Sequence, residues 1–388
     1  MKDVKISNDI IYIGADDKDI DLFENQYKVP NGISYNSYVI MDEKIAIMET
    51  IDRRKTDEWL ENLENALNGR EPDYLIISHL EPDHAYNIGT VIKKYPNIKL
   101  VGNNKTFAFL PQFFDIEDLE ERKVEVKEGD ILELGKHKLR FIIAPMVHWP
   151  EVMMEYEETE KILFSADGFG KFGTLDTDED WDCEARRYYF NIVGKYGMQV
   201  QSVLKKASQL EIKTICPLHG PILRENLSHY INKYDIWSKY ETESEGVYIA
   251  CASIHGNTLK VCEKLKEILE EKGVEKVVLA DLSREDWAEA VEDSFRYGKI
   301  VFASATYDMG IFTPMRDLLL NLKEKNYQNK KVAIIENGTW APNAGKCMKE
   351  IIATMKNIEI VEPVVTIKST LKEENIEKLN ELAENLLK

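Results

Sequence analysis

The chain contains no C-x-x-C pair, and its five cysteines (Cys183, Cys216, Cys251, Cys262, Cys347) are scattered and odd in number. Neither a disulfide framework nor a zinc or rubredoxin knuckle is encoded, and the thiols read as reduced, which points to a cytoplasmic protein. No apolar run reaches the roughly 18 residues of a membrane span. The opening MKDVKISNDI carries charges where a signal peptide has its apolar stretch. A basic block is missing too: the net charge of −19 is spread along the whole chain. Such a surface repels nucleic acid and anionic membranes. There is no tandem repeat or low-complexity segment. With 388 residues and 44% hydrophobic content, two domains are expected.

Two rhythms divide the chain. Up to about Leu223, short strands mix with helices: NDIIYIGA, NSYVIMDEKIAIMET, DYLIISHL, KLVGN, HKLRFIIAP, KILFSAD and IKTICPLHG. Histidines and carboxylates repeatedly follow the apolar run, which suggests a site carried on one edge of a sheet layer. After NLSHYINKYDIWSKY and the polar ETESEG, strict alternation begins. Strand GVYIACAS leads to helix NTLKVCEKLKEILEEKG, and four further β-α units follow. Apolar strands alternating with amphipathic helices predict a parallel sheet covered on both faces. The expected domains are 1–243 and 244–388.

The stretch SHLEPDHAYNIG packs His79, Glu81, Asp83 and His84 into six positions. If the strand extends into this loop, His79, Glu81 and Asp83 share one direction, with His84 on the turn. His148 in APMVHWPE, Asp167 in LFSADGFG and His219 in CPLHGPI each follow an apolar run as well. Any one of these is ordinarily a hydrogen-bonded loop residue. Together they form a candidate metal shell.

In the second half, SIHGNT joins the first strand to the first helix, where hydroxyls and amides can cradle a phosphate at a helix N-terminus. The loop has no lysine, so a phosphate monoester held by neutral donors suits it. SATYDMGIF and ENGTWAPNAG place Tyr307 and Trp340 in the next loops as flat partners for a ring.

The metal residues resemble the metallo-β-lactamase superfamily, whose signature is H-x-H-x-D-H followed by distant His, Asp and His. Here Glu81 replaces the middle histidine. A hard anionic oxygen in place of an imidazole moves the site from zinc towards iron or manganese. Domain order and both motif sets closely resemble the flavodiiron proteins, or A-type flavoproteins, over nearly the whole chain. The resemblance implies an α/β fold, an N-terminal αββα metallo-β-lactamase-like sandwich followed by a doubly wound parallel flavodoxin-like domain. It implies one iron held by His79, Glu81 and His148, a second by Asp83, His84 and His219, and Asp167 as the bridge. It also implies FMN in the loops at Ser253, His255, Gly256, Asn257 and Thr258, at Thr306, Tyr307, Asp308 and Gly310, and at Asn337, Gly338, Thr339 and Trp340.

The activity implied is reduction of O2 to water, or of nitric oxide to N2O at the same irons, with O2 favoured by the resemblance. A head-to-tail homodimer, or a dimer of such dimers, would let each flavin serve the partner's irons. Neither a rubredoxin-like pair nor a G-x-G-x-x-G domain is present, so a separate donor is expected, rubredoxin or a deazaflavin. Two rivals are a dizinc hydrolase fused to a flavodoxin module, against which Glu81 argues, and a non-catalytic electron carrier. Tyr189 and Tyr196 are candidates for lining the metal pocket, although core packing suits each better, and for Phe23 and Trp149 the two roles are equally open. His255 is expected to shape the flavin loop, and His137 and His229 to lie on the surface without partners.

Overall fold

The computed structural model describes residues 4–388. They form two compact units: everything up to Tyr189 together with Met198–Asp235, and Phe190–Gly197 together with Ile236–Lys388.

The first unit is built on two sheets. One has six strands in the order Ile10–Tyr12, Tyr38–Ile40, Ala46–Met48, Tyr74–Ile76, Lys99–Gly102 and Lys123–Glu125. The other has five: Ile131–Glu133, Lys138–Ile143, Met153–Glu157, Ile162–Phe164 and Thr214–Cys216. Their facing sides share one core, with Tyr38, Met48 and Ile76 packed among Phe141, Met153 and Phe164. Burial of this apolar layer is what drives the two sheets together. Helices lie outside it. The helix Thr56–Leu67 buries Trp59, Leu63, Ala66 and Leu67, a stripe at helical spacing. It stops at Asn68 (φ 47°) and Gly69 (φ 81°), where the left-handed backbone ends the hydrogen-bonded turns. This is the expected αββα sandwich.

Within each sheet the pair of strands next to the site is parallel, Met48 beside Ile76 and Phe164 beside Cys216, so the loops that follow them emerge at one edge. His79, Asp167 and His219 each stand three residues beyond the last residue of a strand, after Ile76, Phe164 and Cys216. The amide of Met153 donates to the Ser78 carbonyl and ties the two sheets together there.

One expectation fails at this edge. The strand stops at Ile76 and does not carry His79, Glu81 and Asp83 in extended register. Pro82 opens a single helical turn, Pro82–Ala85. A proline at the first helical position has no amide to lose and a φ already suited to the turn. Glu81 therefore points with His79 while Asp83 and His84 turn to the other side.

The second unit is doubly wound. Its five parallel strands lie in the order Val277–Asp281, Ser244–Ala252, Tyr297–Tyr307, Gln328–Asn337 and Lys356–Ile367, which is 2-1-3-4-5 by position in the chain. Buried Val247, Ile249, Val301, Ala333 and Val365 make one face apolar, where the helices Asn257–Glu271 and Glu373–Leu387 cover it through Val261, Leu265, Leu379 and Leu382, and buried Tyr248, Ile300, Phe302, Val332 and Ile334 make the other. The order reverses between Ser244–Ala252 and Tyr297–Tyr307, which opens a crevice beyond their C-terminal ends. Phe190 belongs to this unit because its ring stacks on Phe295, centroids 4.3 Å apart.

Candidate dimetal centre and flavin crevice

The loops at the edge of the sandwich assemble two adjoining clusters. His79, Glu81, His148 and Asp167 form one, and Asp83, His84 and His219 the other, with the donor atoms of each lying within 4.8 Å of one another. Asp167 stands between them. Its Oδ2 is 3.4 Å from His79 Nε2 and 3.3 Å from His148 Nε2. Its Oδ1 is 3.1 Å from His84 Nε2 and 3.8 Å from His219 Nε2. Glu81 Oε2 completes the first cluster, 3.0 Å from His148 Nε2 and 3.3 Å from His79 Nε2. Asp83 Oδ2 completes the second, 3.2 Å from His219 Nε2 and 3.4 Å from His84 Nε2.

These groups are buried without adequate partners. Both oxygens of Asp83 and Asp167, both ring nitrogens of His84 and Nε2 of His219 are shielded from solvent and make no hydrogen bond. Leaving that many polar atoms unsatisfied is unfavourable by about 1–3 kcal/mol each, more where they are charged. Burial alone would discharge the His148 ring, yet Asp167 and Glu81 hold its pKa up at about 9. Burial would also neutralise Asp167, but His84 and His148 hold it well below the usual carboxylate range. Positive charge belongs at the centre of both clusters. Four imidazoles and three carboxylates, with one carboxylate offered to both sides, fit a pair of metal ions. The oxygen-rich donor set suits iron or manganese better than zinc.

The rings are held from outside. His219 Nδ1 donates to the Ser34 carbonyl at 2.7 Å, which leaves Nε2 facing the cluster. Phe23, Tyr35 and Tyr188 surround the same ring at centroid distances of 5.4, 5.9 and 5.6 Å. Trp149 stands edge-on to His79 at 5.2 Å. A cavity of about 900 Å³ reaches Glu81 and Asp83 past Phe23, Tyr35, Tyr86 and Phe113.

Of the expected pocket tyrosines, neither lines this cavity. Tyr189 is buried against Tyr234, and Tyr196 lies in the turn Gly194–Tyr196 of the second unit. Tyr188, one residue before Tyr189, is the tyrosine of this segment that stands beside His219. His137 is not on the surface. It is fully buried, with Nδ1 3.0 Å from Glu157 Oε1 and Nε2 3.4 Å from Asp9 Oδ2, because these acids supply the partners its sequence neighbours do not. His229 is partly exposed but not alone, with Asp182 Oδ1 at 2.6 Å.

In the second unit the crevice beyond the parallel strands is a cavity of about 640 Å³. Ser253, His255, Asn257 and Thr258 line one end, Thr306, Tyr307 and Asp308 a side, and Asn337 to Trp340 the other. Gly256 takes φ 81° at the start of the helix Asn257–Glu271, so the helix N-terminus opens into this end. Ser253 Oγ is buried there with no hydrogen-bond partner. Trp340 is 87% exposed and Tyr307 51% exposed, two aromatic faces left uncovered at the rim. An unpartnered hydroxyl beside a helix N-terminus fits a phosphate, and free aromatic faces fit a flat ring. FMN therefore suits the crevice. Thr306 Oγ1 accepts from the amides of Asn343 and Ala344, at 3.0 and 3.1 Å, and so caps the helix Ala344–Ile352. Gly310 stands in the short hairpin strand Gly310–Ile311 and faces a neighbouring groove, outside the cavity lining. Ile254 and Met309, inside the expected loops, line the cavity too, and Ala305, Ala341 and Ser369 line it from outside them. Ser369 follows the fifth strand, so the rule that placed the other three loops, residues just past a parallel strand, would have found it.

A family model described as ODP family beta lactamase matches residues 33–220. The chain is 28% identical to a nitric oxide reductase of Moorella thermoacetica over 99% of this chain and 98% of that protein. It is 27% identical to a flavo-diiron protein of Clostridium acetobutylicum over 93% and 92%. Its fold superposes on rubredoxin oxygen:oxidoreductase from Desulfovibrio gigas with a TM-score of 0.91 and 25% identity, covering 98% of this chain and 97% of that one. The likeness runs through both units, not only the sandwich, and it falls on proteins of the kind that a glutamate-bearing metal edge and a flavin crevice require: the chain belongs to the flavodiiron protein family, whose cofactors are FMN and a pair of non-haem irons.

Proposed function

We propose that this protein is an oxidoreductase that reduces O2 to water, with a metal module at 1–243 and a flavin module at 244–388. The observation that carries the reading is Asp167, a buried carboxylate whose two unpaired oxygens serve two separate clusters. His79, Glu81 and His148 hold one iron, Asp83, His84 and His219 the other, and Asp167 spans them. The crevice from Ser253 to Trp340 holds FMN, with Ser253, Asn257 and Thr258 on the phosphate and Tyr307 and Trp340 beside the ring.

Reducing O2 to two waters takes four electrons and four protons. A reduced flavin and two ferrous ions together supply that many electrons. The chain's own part is to fix the ligands, to wall the centre with Phe23, Tyr35 and Tyr188, and to leave the approach past Glu81 and Asp83 open to a small apolar gas. Delivery of all four electrons without release of partly reduced oxygen calls for flavin and irons to be close. We therefore infer a head-to-tail homodimer in which the flavin of one subunit serves the irons of the other, or a pair of such dimers. A separate donor, rubredoxin or a deazaflavin, supplies the electrons, and five scattered cysteines with no C-x-x-C pair suit a reducing cytoplasm. No helix among the described residues is long and apolar enough to cross a membrane.

A second reading, reduction of two nitric oxides to N2O and water with two electrons and two protons, draws support from the Moorella relative's name as the first does from the Desulfovibrio protein's. Metal and flavin analysis of anaerobically purified protein, then single-turnover mixing with each gas, separates them. Two irons and one FMN with faster reoxidation by O2 is the expected result. Faster reaction with nitric oxide reverses the ranking, and two zincs with no gas reaction makes the protein a hydrolase.

A further inference from the structure

Of the four candidate imidazoles, only His79 has an acid behind it. Its Nδ1 lies 2.8 Å from Glu151 Oε1, and both side chains are fully buried. The same oxygen accepts the Leu80 amide at 3.0 Å. A carboxylate can only accept these bonds, so the ring proton is on Nδ1 and Nε2 faces Glu81 and Asp167. Glu151 also stands three residues after His148, and the side chain of Asn103 donates to its carbonyl at 2.6 Å. It therefore locks the loop bearing His79 to the loop bearing His148. On the other side of the centre, His219 is backed by the neutral carbonyl of Ser34, and His84 Nδ1 has no partner.

We infer that Glu151 is a positioning residue that makes the two metal positions unequal: it fixes His79 and places a negative charge one hydrogen bond behind the metal held by His79, Glu81 and His148, with no counterpart at the metal held by Asp83, His84 and His219. A carboxylate behind a ligating histidine raises the basicity of the ring and stabilises the more highly charged metal. The His79 position therefore has the lower reduction potential and gives up its electron first. This inference rests on the diiron reading above.

The test compares wild type, Glu151→Gln and Glu151→Asp, each loaded with 57Fe and read by iron content, Mössbauer spectrum and redox titration. Wild type is expected to show two distinct iron environments. Glu151→Gln weakens iron at one of them by about 10–100-fold and leaves the other filled. It also raises the lower potential by about 59 mV for each tenfold change in ferric over ferrous affinity. Glu151→Asp, which keeps the charge on a shorter arm, retains part of that potential. FMN content does not change. Wild-type iron content and potentials in Glu151→Gln, or equal loss from both positions, would overturn the inference. If Glu151→Gln does not accumulate, Glu151→Asp decides by the same criterion of loss at one position against none or both. Two zincs in the wild type would sink the diiron reading and leave the occupancy comparison intact, since His79 would ligate either metal.

Discussion

Ser253→Ala is expected to act with opposite signs on the empty and the flavin-loaded protein. The Oγ of Ser253 is buried at the flavin crevice without a hydrogen-bond partner, so the fold holds a desolvated hydroxyl that nothing within the chain rewards. Removing it relieves part of an unsatisfied-group penalty, and the apoprotein should gain about 1 kcal/mol. With FMN bound, the same hydroxyl donates to a phosphate oxygen, and a hydrogen bond to a charged acceptor contributes about 1.5–3 kcal/mol. Its loss should weaken FMN by about 10- to 150-fold. Urea unfolding of the apoprotein and fluorescence titration with FMN read the two effects separately, and riboflavin, which lacks the phosphate, supplies the control. Riboflavin affinity should be unmoved. Unchanged FMN affinity would mean that the phosphate lies elsewhere, and a destabilised apoprotein would mean that the hydroxyl has a partner after all.

Three further substitutions probe other parts of the molecule. Asp167→Asn takes one negative charge from between two clusters; iron content should fall at both positions while FMN is retained, and full iron with full turnover would refute the bridge. Trp340→Ala removes a ring that is 87% exposed, so folding stability should change by less than about 0.5 kcal/mol. FMN should bind about tenfold more weakly with iron unchanged, and unmoved affinity would leave the stacking to Tyr307. His137→Gln tests a buried pair away from the metals. Burial lowers the His137 pKa, but Glu157 and then Asp9 and Asp42 outweigh it and leave the pKa raised, with Lys136 the cation nearby. A raised histidine stabilises the fold fully below its ordinary value of about 6.5 and loses that contribution as pH rises through its folded value. Wild type should thus lose stability relative to the variant as pH rises above about 6.5 in urea titrations. The variant should be weaker by about 2–4 kcal/mol at the acid end. Parallel curves at all pH values would refute the assignment.

The doubly wound unit was open to inference because its three central strands carry runs buried on both faces, VYIACA, IVFASA and VAIIEN, and each strand is followed by a helix with an apolar stripe. The sandwich was harder. The strand Met153–Glu157 lies at the centre of the second sheet, yet its sequence MMEYE carries two glutamates that no pattern of alternating apolar residues would bury. Both are inside because distant partners accept them: Ser78 donates to Glu155 at 2.9 Å, and His137 lies against Glu157. The metal edge could be read for a different reason. A residue three positions past a strand end is projected from a fixed scaffold, so the strand pattern alone brought His79, Asp167 and His219 together. Tyr188 escaped notice because nothing in its own neighbourhood marks it; only the packing of separate segments does.

Glu151 shows the same limit more sharply when set beside its neighbours. Three buried glutamates crowd the loop that bears His79, and nothing in residue type tells them apart. Burial pushes the Glu49 carboxyl up to about 8, even though it accepts the amides of Ser78 and His79. Burial and the nearby Glu49 push Glu155 well above the usual range. Burial would raise the Glu151 carboxyl as well, but the His79 ring, through its hydrogen bond and its charge, together with the Leu80 amide outweighs burial and lowers its pKa. The same burial thus favours the protonated form at Glu49 and Glu155, while the contacts of Glu151 favour its charged form. The largest of these contacts is with a ring that itself faces Glu81 and Asp167 and gains from a negative group behind it. The electrostatics of the centre is therefore set by pairwise contacts between loops far apart in the chain, and so it becomes visible only when the fold has brought them within hydrogen-bond reach.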